Sequence, residues 1–239
     1  MQHDVRIAPI IASLFAVDIG LGALFLGNYF LGEPYWPVTQ IVSFRGENTL
    51  SAWYSSLQLG LLAGLLALLA HRARSLALPR RCALIAFTCL VLAMSADESV
   101  LIHERLGKAL TAAIAGDGAV PVYAARSGYW TYVLGLPAAL GLGAVLWLAS
   151  DAFRAAPGAL VKLGGGLALL MLGAVGMESL WNFLRDPLLA EVVEPWLEES
   201  LEKIGVTVMI WGVLQRLAVG LVPLLLTGGR PLSPADGGP

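Results

Sequence analysis

The chain has 239 residues, of which 57% are hydrophobic and 13% are charged, and it carries a formal net charge of −2. Soluble domains usually hold about a quarter charged residues, so this composition argues against a soluble protein and favours a membrane protein. Apolar stretches of about 20 residues, the length that crosses a bilayer as a helix, recur along the chain. The alternating strand patterns of a transmembrane barrel are absent. We therefore predict an all-α, polytopic transmembrane helix bundle.

Six apolar segments are predicted to span the membrane. They lie at about 7–31, 49–70, 82–104, 128–150, 159–184 and 200–226. Residues 1–226 then form a single transmembrane domain, and residues 227–239 form a flexible Pro/Gly-rich tail. Four arginines crowd the short loop between the second and third spans, and loops rich in Lys and Arg face the cytoplasm. We expect both termini to be cytoplasmic, in a multi-pass protein of the bacterial inner membrane that contacts the lipid bilayer.

Acidic residues are distributed very unevenly in this topology. Thirteen of the seventeen fall in its outer half, three fall on the cytoplasmic side, and Asp18 lies in the middle of the first span. A carboxylate inside the bilayer costs about 2.5–3.5 kcal/mol, so it normally faces the bundle or a water-filled cavity. Spans two, three, five and six bring acids to one outer level, which predicts a shared site. Asp18 is expected either to form hydrogen bonds inside the bundle or to mark a proton-transfer step.

The third span closes with the sequence "AMSADESVLIHERLG", which contains no helix-breaking residue. In a continuous helix Asp97 and Glu104, seven residues apart, project from nearly the same face. Glu98 and Arg105 then share a neighbouring face and can pair with each other. His103 is offset by about 100° from Glu104, so it either flanks the site or meets the membrane interface.

The fifth span ends with "GAVGMESLWNFLRD", in which Glu178, Asn182 and Arg185 follow one helical stripe. The glycine-rich run before Glu178 predicts the close approach of a neighbouring helix that encloses the acid. An internal ion pair between Glu178 and Arg185 is the alternative.

The sixth span opens with a group of acids. Glu198 and Glu202 share one face and are predicted to point inward, whereas Glu199 and Lys203 have the spacing of a surface ion pair. On geometry alone Glu199 is the more solvent-facing residue. The helix dipole also favours acids at this position, so a capping role is the alternative for Glu198 and Glu199.

Several classes of site are excluded by the residues present. A di-iron helix bundle needs two Glu-x-x-His pairs, and the sequence contains none. A three-histidine zinc site is excluded because His3 and His71 lie on the cytoplasmic side. The sequence lacks a phosphate-binding loop, a dinucleotide-binding motif and a serine-hydrolase motif, so neither a nucleotide nor a nucleic acid is an expected partner.

Four short motifs, "ENTLSAWYSSL", "SADESVLIHERLG", "GMESLW" and "EESLEKIG", resemble those of a family of uncharacterised bacterial multi-pass membrane proteins. That family has a polar start followed by WYSS, an LDE…HE helix end, a G-x-E helix and a closing EE-x-LE-x-G helix. The resemblance covers four of the six predicted spans and implies no established activity. It implies that the polar positions of the family correspond to Glu47, Asp97, Glu98, His103, Glu104, Glu178, Glu199 and Glu202.

Carboxylate and amide oxygens suit hard cations such as Ca²⁺, Mg²⁺ and Mn²⁺, so a divalent cation is one candidate cofactor, and the sequence leaves the identity of the ligand open. The predicted metal-site residues are Glu47, Asp97, Glu98, His103, Glu104, Glu178, Asn182, Glu199 and Glu202. The leading hypothesis is a carboxylate-rich periplasmic site that binds a cation or protons. One alternative is an accessory subunit of a larger membrane complex, with other membrane-protein subunits as partners. The other is a membrane-embedded hydrolase of a lipid-like substrate, in which a carboxylate or His103 acts as general base.

Overall fold

The computed structural model describes residues 4–46, 48–116, 118–156 and 158–219. Within these ranges the secondary structure is entirely helical, which confirms the predicted all-α class. The α-helices are α1 (Asp4–Phe30), α2 (Trp36–Val42), α3 (Leu50–Arg72), α4 (Leu78–Val100), α5 (Ile102–Ala115), α6 (Leu136–Ala149), α7 (Ala159–Met171), α8 (Glu178–Trp181) and α9 (Glu194–Val219). Turns of π-helix precede α6, α8 and α9, at Thr131–Gly135, Leu172–Met177 and Leu189–Val193.

Five helical segments among the described residues are long and apolar enough to cross a membrane. They are Ile7–Phe30, Leu50–Arg72, Leu78–Val100, Thr131–Phe153 and Ala159–Trp181. Large apolar side chains such as Ile19, Leu140 and Val161 are exposed on the bundle surface, which suggests contact with lipid. The sixth predicted span corresponds to α9, which starts earlier, at Glu194. Residues 220–226 and the predicted tail lie outside the described residues.

Helix α9 occupies the centre of the bundle. It packs against α1, α3 and α7, and Met209, Ile210 and Val213 on it are fully buried. The charged first half of α9 is therefore held among apolar helices rather than at the rim of the bundle. This central position decides where the acids of the predicted sixth span point.

Glycines bring α7 and α9 into backbone contact. A Cβ atom placed on Gly205 would lie 2.6 Å from the carbonyl oxygen of Gly166, and one on Gly212 would lie 2.7 Å from that of Ala159. One on Gly173 would lie 2.7 Å from Cγ of Glu202. Small residues at such spacing allow close helix packing inside membranes. The predicted close approach is therefore present, and it is made with α9.

The third predicted span is wrong beyond Val100. Leu101 adopts a left-handed conformation with φ of 59°, so α4 ends before it and α5 begins after it. Oδ1 of Asp97 accepts a hydrogen bond of 2.9 Å from the backbone N–H of His103. The carboxylate thereby satisfies a backbone N–H in the first turn of α5 that has no partner within the helix. This hydrogen bond favours the break between α4 and α5, although the sequence there contains neither glycine nor proline.

The glycine contact generates the first testable prediction. Gly205→Ala should lower the free energy of unfolding by about 1–3 kcal/mol, because the added methyl group overpacks the interface of α7 and α9. The measurement is reversible unfolding in detergent micelles.

Gly164→Ala is the matched control, since a Cβ atom there has no neighbour within 4 Å. It should leave stability unchanged or raise it by up to about 1 kcal/mol, because alanine favours the helix. Equal destabilisation by the two variants would contradict the contact.

Candidate functional site

A cavity of about 530 Å³ lies between α4, α5, α6, α7 and α9 and has two chemically distinct parts. The long wall is apolar and includes Leu90, Met94, Leu134, Ala138, Leu142, Leu170 and Ala174. The polar end is formed by Asp97, Glu98, His103, Glu104, Glu178, Glu198, Glu199 and Glu202. We call this cavity the acidic groove. It brings together seven of the nine predicted site residues, to which the structure adds Glu198.

Three carboxyl groups lie close together at or beside this end. Glu198 interacts with the charges of Glu178 and Glu194. Neighbouring carboxylates repel one another when all are ionised, so a proton on one of them relieves the repulsion. Glu202 lies one turn further along α9 and feels the charges of Glu98, Glu199 and Glu178. The arrangement can therefore hold protons among neighbouring acids.

Glu194 is a site residue that the sequence analysis did not identify. It is only 2% exposed, and within the described part of the chain its Oε1 has no hydrogen-bond partner. Its charge interacts with those of Glu178 and Glu198 and with the opposite charge of Arg126. The signal in the sequence was the four-residue spacing of Glu194, Glu198 and Glu202, which places them on successive turns of one helix.

Trp130 links the two sides of the acidic end. Its Nε1 donates a hydrogen bond of 3.3 Å to Glu178, and the centroid of its ring lies 4.7 Å from that of His103. The Nδ1 atom of His103 lies 2.5 Å from Oδ2 of Asp97, so the imidazole has a carboxylate on one side and an aromatic ring on the other. Gly107 leaves room for this indole, because a Cβ atom there would lie 2.9 Å from Cβ of Trp130.

Asp97 and Glu104 both line the acidic groove, but the predicted reason is wrong. They belong to different helices, because the chain breaks at Leu101. Asp97 holds His103, whereas Glu104 accepts a hydrogen bond of 2.7 Å from Lys108. Their common location results from the turn between α4 and α5.

The side chain of Asn182 stabilises a loop and does not line the acidic groove. Its Oδ1 accepts hydrogen bonds of 2.8 and 3.1 Å from the backbone N–H groups of Arg126 and Ser127. Helix α8 ends at Trp181, so the predicted helical stripe from Glu178 to Arg185 is wrong.

The predicted surface position of Glu199 and Lys203 is also wrong. The two side chains do form an ion pair, but that of Lys203 is completely buried. Glu199 also accepts a hydrogen bond of 2.9 Å from Ser51, and the ammonium group lies 4.8 Å from the ring centroid of Phe44. The pair is internal because α9 is enclosed by the apolar helices around it.

Asp18 forms the hydrogen bonds inside the bundle that were one of its two predicted roles. Its carboxylate accepts from Tyr54 at 3.0 Å, from Gln58 at 2.9 Å and from Thr207 at 2.7 Å, which joins α1, α3 and α9. Tyr54 therefore points inward. Lys203 adds a favourable charge interaction with Asp18.

The predicted metal site is not formed by the described residues. No three His, Cys, Asp or Glu side chains among them are grouped so that they could hold a metal ion. Glu47 lies outside the described residues. The assignment of the nine residues to a divalent cation therefore stays a prediction.

The buried ion pair generates the second testable prediction. Lys203→Met should lower the free energy of unfolding by about 3–5 kcal/mol, because it leaves a buried carboxylate without its cation. The double variant Lys203→Met/Glu199→Gln should recover part of this loss, as measured by reversible unfolding in a double-mutant cycle.

Lys108→Met is the matched control, since Lys108 has the same four-residue spacing from Glu104 but its side chain is 78% exposed. Removal of this surface pair should cost no more than about 1 kcal/mol. If the double variant were no more stable than Lys203→Met alone, the pair would not be the source of the effect.

Comparisons with known proteins identify one family. No curated protein and no solved structure matches the chain. A family model described as Domain of unknown function (DUF8692) matches residues 13–217. This match covers most of the chain and the whole acidic groove, so the protein belongs to the DUF8692 family.

Proposed function

We propose that the protein is an integral membrane protein whose acidic groove binds protons and exchanges them for a cation. The distribution of positive charges favours cytoplasmic termini, and this topology requires α9 to act as a sixth span of the bacterial inner membrane. The groove then faces the periplasmic side of the bilayer. Carboxylates at that depth contact both the aqueous phase and the apolar core.

The observation that carries this proposal is the close grouping of Glu178, Glu198 and Glu194, whose negative charges repel one another. The neighbouring Glu98, Glu104 and Glu202 add further negative charge. Opposite charges near this group come from His103 on α5, Arg126 in the following loop and Lys203 on α9.

Among the described residues Lys203 is already paired with Glu199 and Lys108 with Glu104, so these two cations are engaged by acids other than Glu178, Glu194 and Glu198. Buried carboxylates without a countercharge take up protons instead of staying ionised. A cation that enters the groove supplies the missing charge and releases these protons.

The ligand geometry favours protons over a divalent metal ion. A divalent ion needs several oxygen ligands that converge at about 2.0–2.6 Å. The described residues contain no such group. The divalent-cation hypothesis is thus the weaker form of this proposal.

The third testable prediction concerns pH. Protons bound among neighbouring acids, as proposed for the groove, are held more tightly by the folded state than by the unfolded chain. This contribution to stability is complete at low pH and is lost as the pH rises and the acids ionise. The melting temperature in detergent should therefore increase when the pH is lowered from about 8 to about 5.

Glu194→Gln and Glu198→Gln should flatten this dependence, whereas Glu191→Gln, at an exposed position, should retain it. Infrared difference spectra should show a protonated carboxyl band at neutral pH that both groove variants diminish. If the band is absent from the wild type, or if Glu191→Gln removes it equally, the acidic groove does not hold the protons.

A hydrolase of a lipid-like substrate is the second candidate. It is favoured by the apolar wall that leads to the Asp97–His103 pair, because a carboxylate-oriented imidazole is suited to act as general base. The test is incubation of the purified protein with membrane lipids, followed by mass spectrometry of the products. Product formation that is lost in His103→Gln and retained in His71→Gln would support this candidate.

A further inference from the structure

We propose that the ligand of the acidic groove is an amphiphile with a cationic head group and an alkyl chain. This inference rests on the proposed function and names the class of cation that the groove takes. It is drawn from the shape and lining of the cavity, which combine an apolar wall with a carboxylate end.

The apolar wall is the first observation. The cavity of about 530 Å³ is in the size range of small-molecule sites, about 300–1,000 Å³. Neither a proton nor an inorganic cation is stabilised by an apolar wall such as that formed by Met94, Leu134, Leu142 and Leu170. An alkyl chain is stabilised there, because the wall removes it from contact with polar groups.

The entrance of the groove lies among membrane-spanning segments. Leu90 and Leu134 line the cavity and remain 41% and 38% exposed. Both belong to helical segments that can cross a membrane. In a bilayer the groove is consequently open to lipid at this side, so an amphiphile can enter laterally with its chain in the hydrocarbon region.

Charge complementarity selects the head group. Seven carboxyl groups line the polar end, so an anionic head group would be repelled there. The rings of Trp130 and His103 flank Glu178 and Asp97, and an indole face attracts an ammonium group.

An unsatisfied atom lies next to this end. The nearly buried Glu194 interacts with the charge of the groove residue Glu198, and its Oε1 has no hydrogen-bond partner in the described part of the chain. Such an atom is costly unless a proton donor reaches it.

Two glycines of α6 provide a matched pair of variants. A Cβ atom on Gly141 or on Gly143 has no neighbour within 4 Å, so either position accepts a larger side chain without a clash. Gly141 lines the acidic groove and Gly143 does not. Gly141→Leu therefore narrows the space for an alkyl chain, while Gly143→Leu adds the same side chain to the same helix outside the groove.

The fourth testable prediction uses dodecyltrimethylammonium as the probe, with tetramethylammonium as the head group alone. Binding is measured by native mass spectrometry of the full chain released from dodecyl maltoside, which supplies an uncharged amphiphile with the same alkyl chain. Dodecyltrimethylammonium should bind the wild type and Gly143→Leu equally, and Gly141→Leu roughly tenfold more weakly or worse. Glu178→Gln should weaken it by a similar factor and the exposed Glu191→Gln should not.

Three results would overturn the proposed ligand class. They are equal binding to Gly141→Leu and Gly143→Leu, no preference for dodecyltrimethylammonium over tetramethylammonium, and copurification of an anionic lipid that is lost in Gly141→Leu. The second result, combined with loss of tetramethylammonium binding in Glu178→Gln, would leave the proposed exchange of protons for a cation intact. Absence of the protonated carboxyl band is the separate outcome that contradicts the proposed function itself.

Discussion

The contact between the backbones of α7 and α9 determines the rest of the architecture. Because Gly166 and Gly205 carry no side chains, the two helices approach until main-chain atoms touch. This approach holds α9 at the centre of the bundle and places Gly173 against Glu202, next to the π-helical turn that precedes Glu178. Acids on two helices come together because Gly166, about two helical turns before Gly173, carries no side chain that would keep the helices apart.

The charged residues of the central helix α9 fall into two groups with different electrostatic environments. On one side Lys203 neutralises Glu199 and also interacts with Asp18, so these charges are balanced within the protein. On the other side Glu178 and Glu198 lie next to each other and close to Glu194, and their negative charges repel one another. Balanced charges stabilise the packing of α1, α3 and α9. The unbalanced group is the part of the molecule that gains from a ligand, which is why the proposed function is assigned there.

Sequence reasoning predicted the clustering of the acids better than the geometry of the helices that carry them. It predicted that acids from separate spans meet at one level, and Asp97, Glu178 and Glu202 do line one groove. It treated the third span as one helix because nothing after Asp97 is a recognised helix breaker. The break at Leu101 depends on the side chain of Asp97 capping α5, a tertiary choice that residue propensities do not encode.

The sequence by itself determined the helical class, the apolar spans and the concentration of acids, because length, hydropathy and charge are properties of the chain alone. Only the tertiary structure decided which acids are paired. Glu199 and Lys203 have the spacing of a surface pair, and they became a buried one because three apolar helices surround α9. The spacing of Glu194, Glu198 and Glu202 was visible in the sequence, but their environment was not. The burial of a carboxyl group depends on which helices pack around it. Burial in turn affects the protonation and the ligand preference of that group.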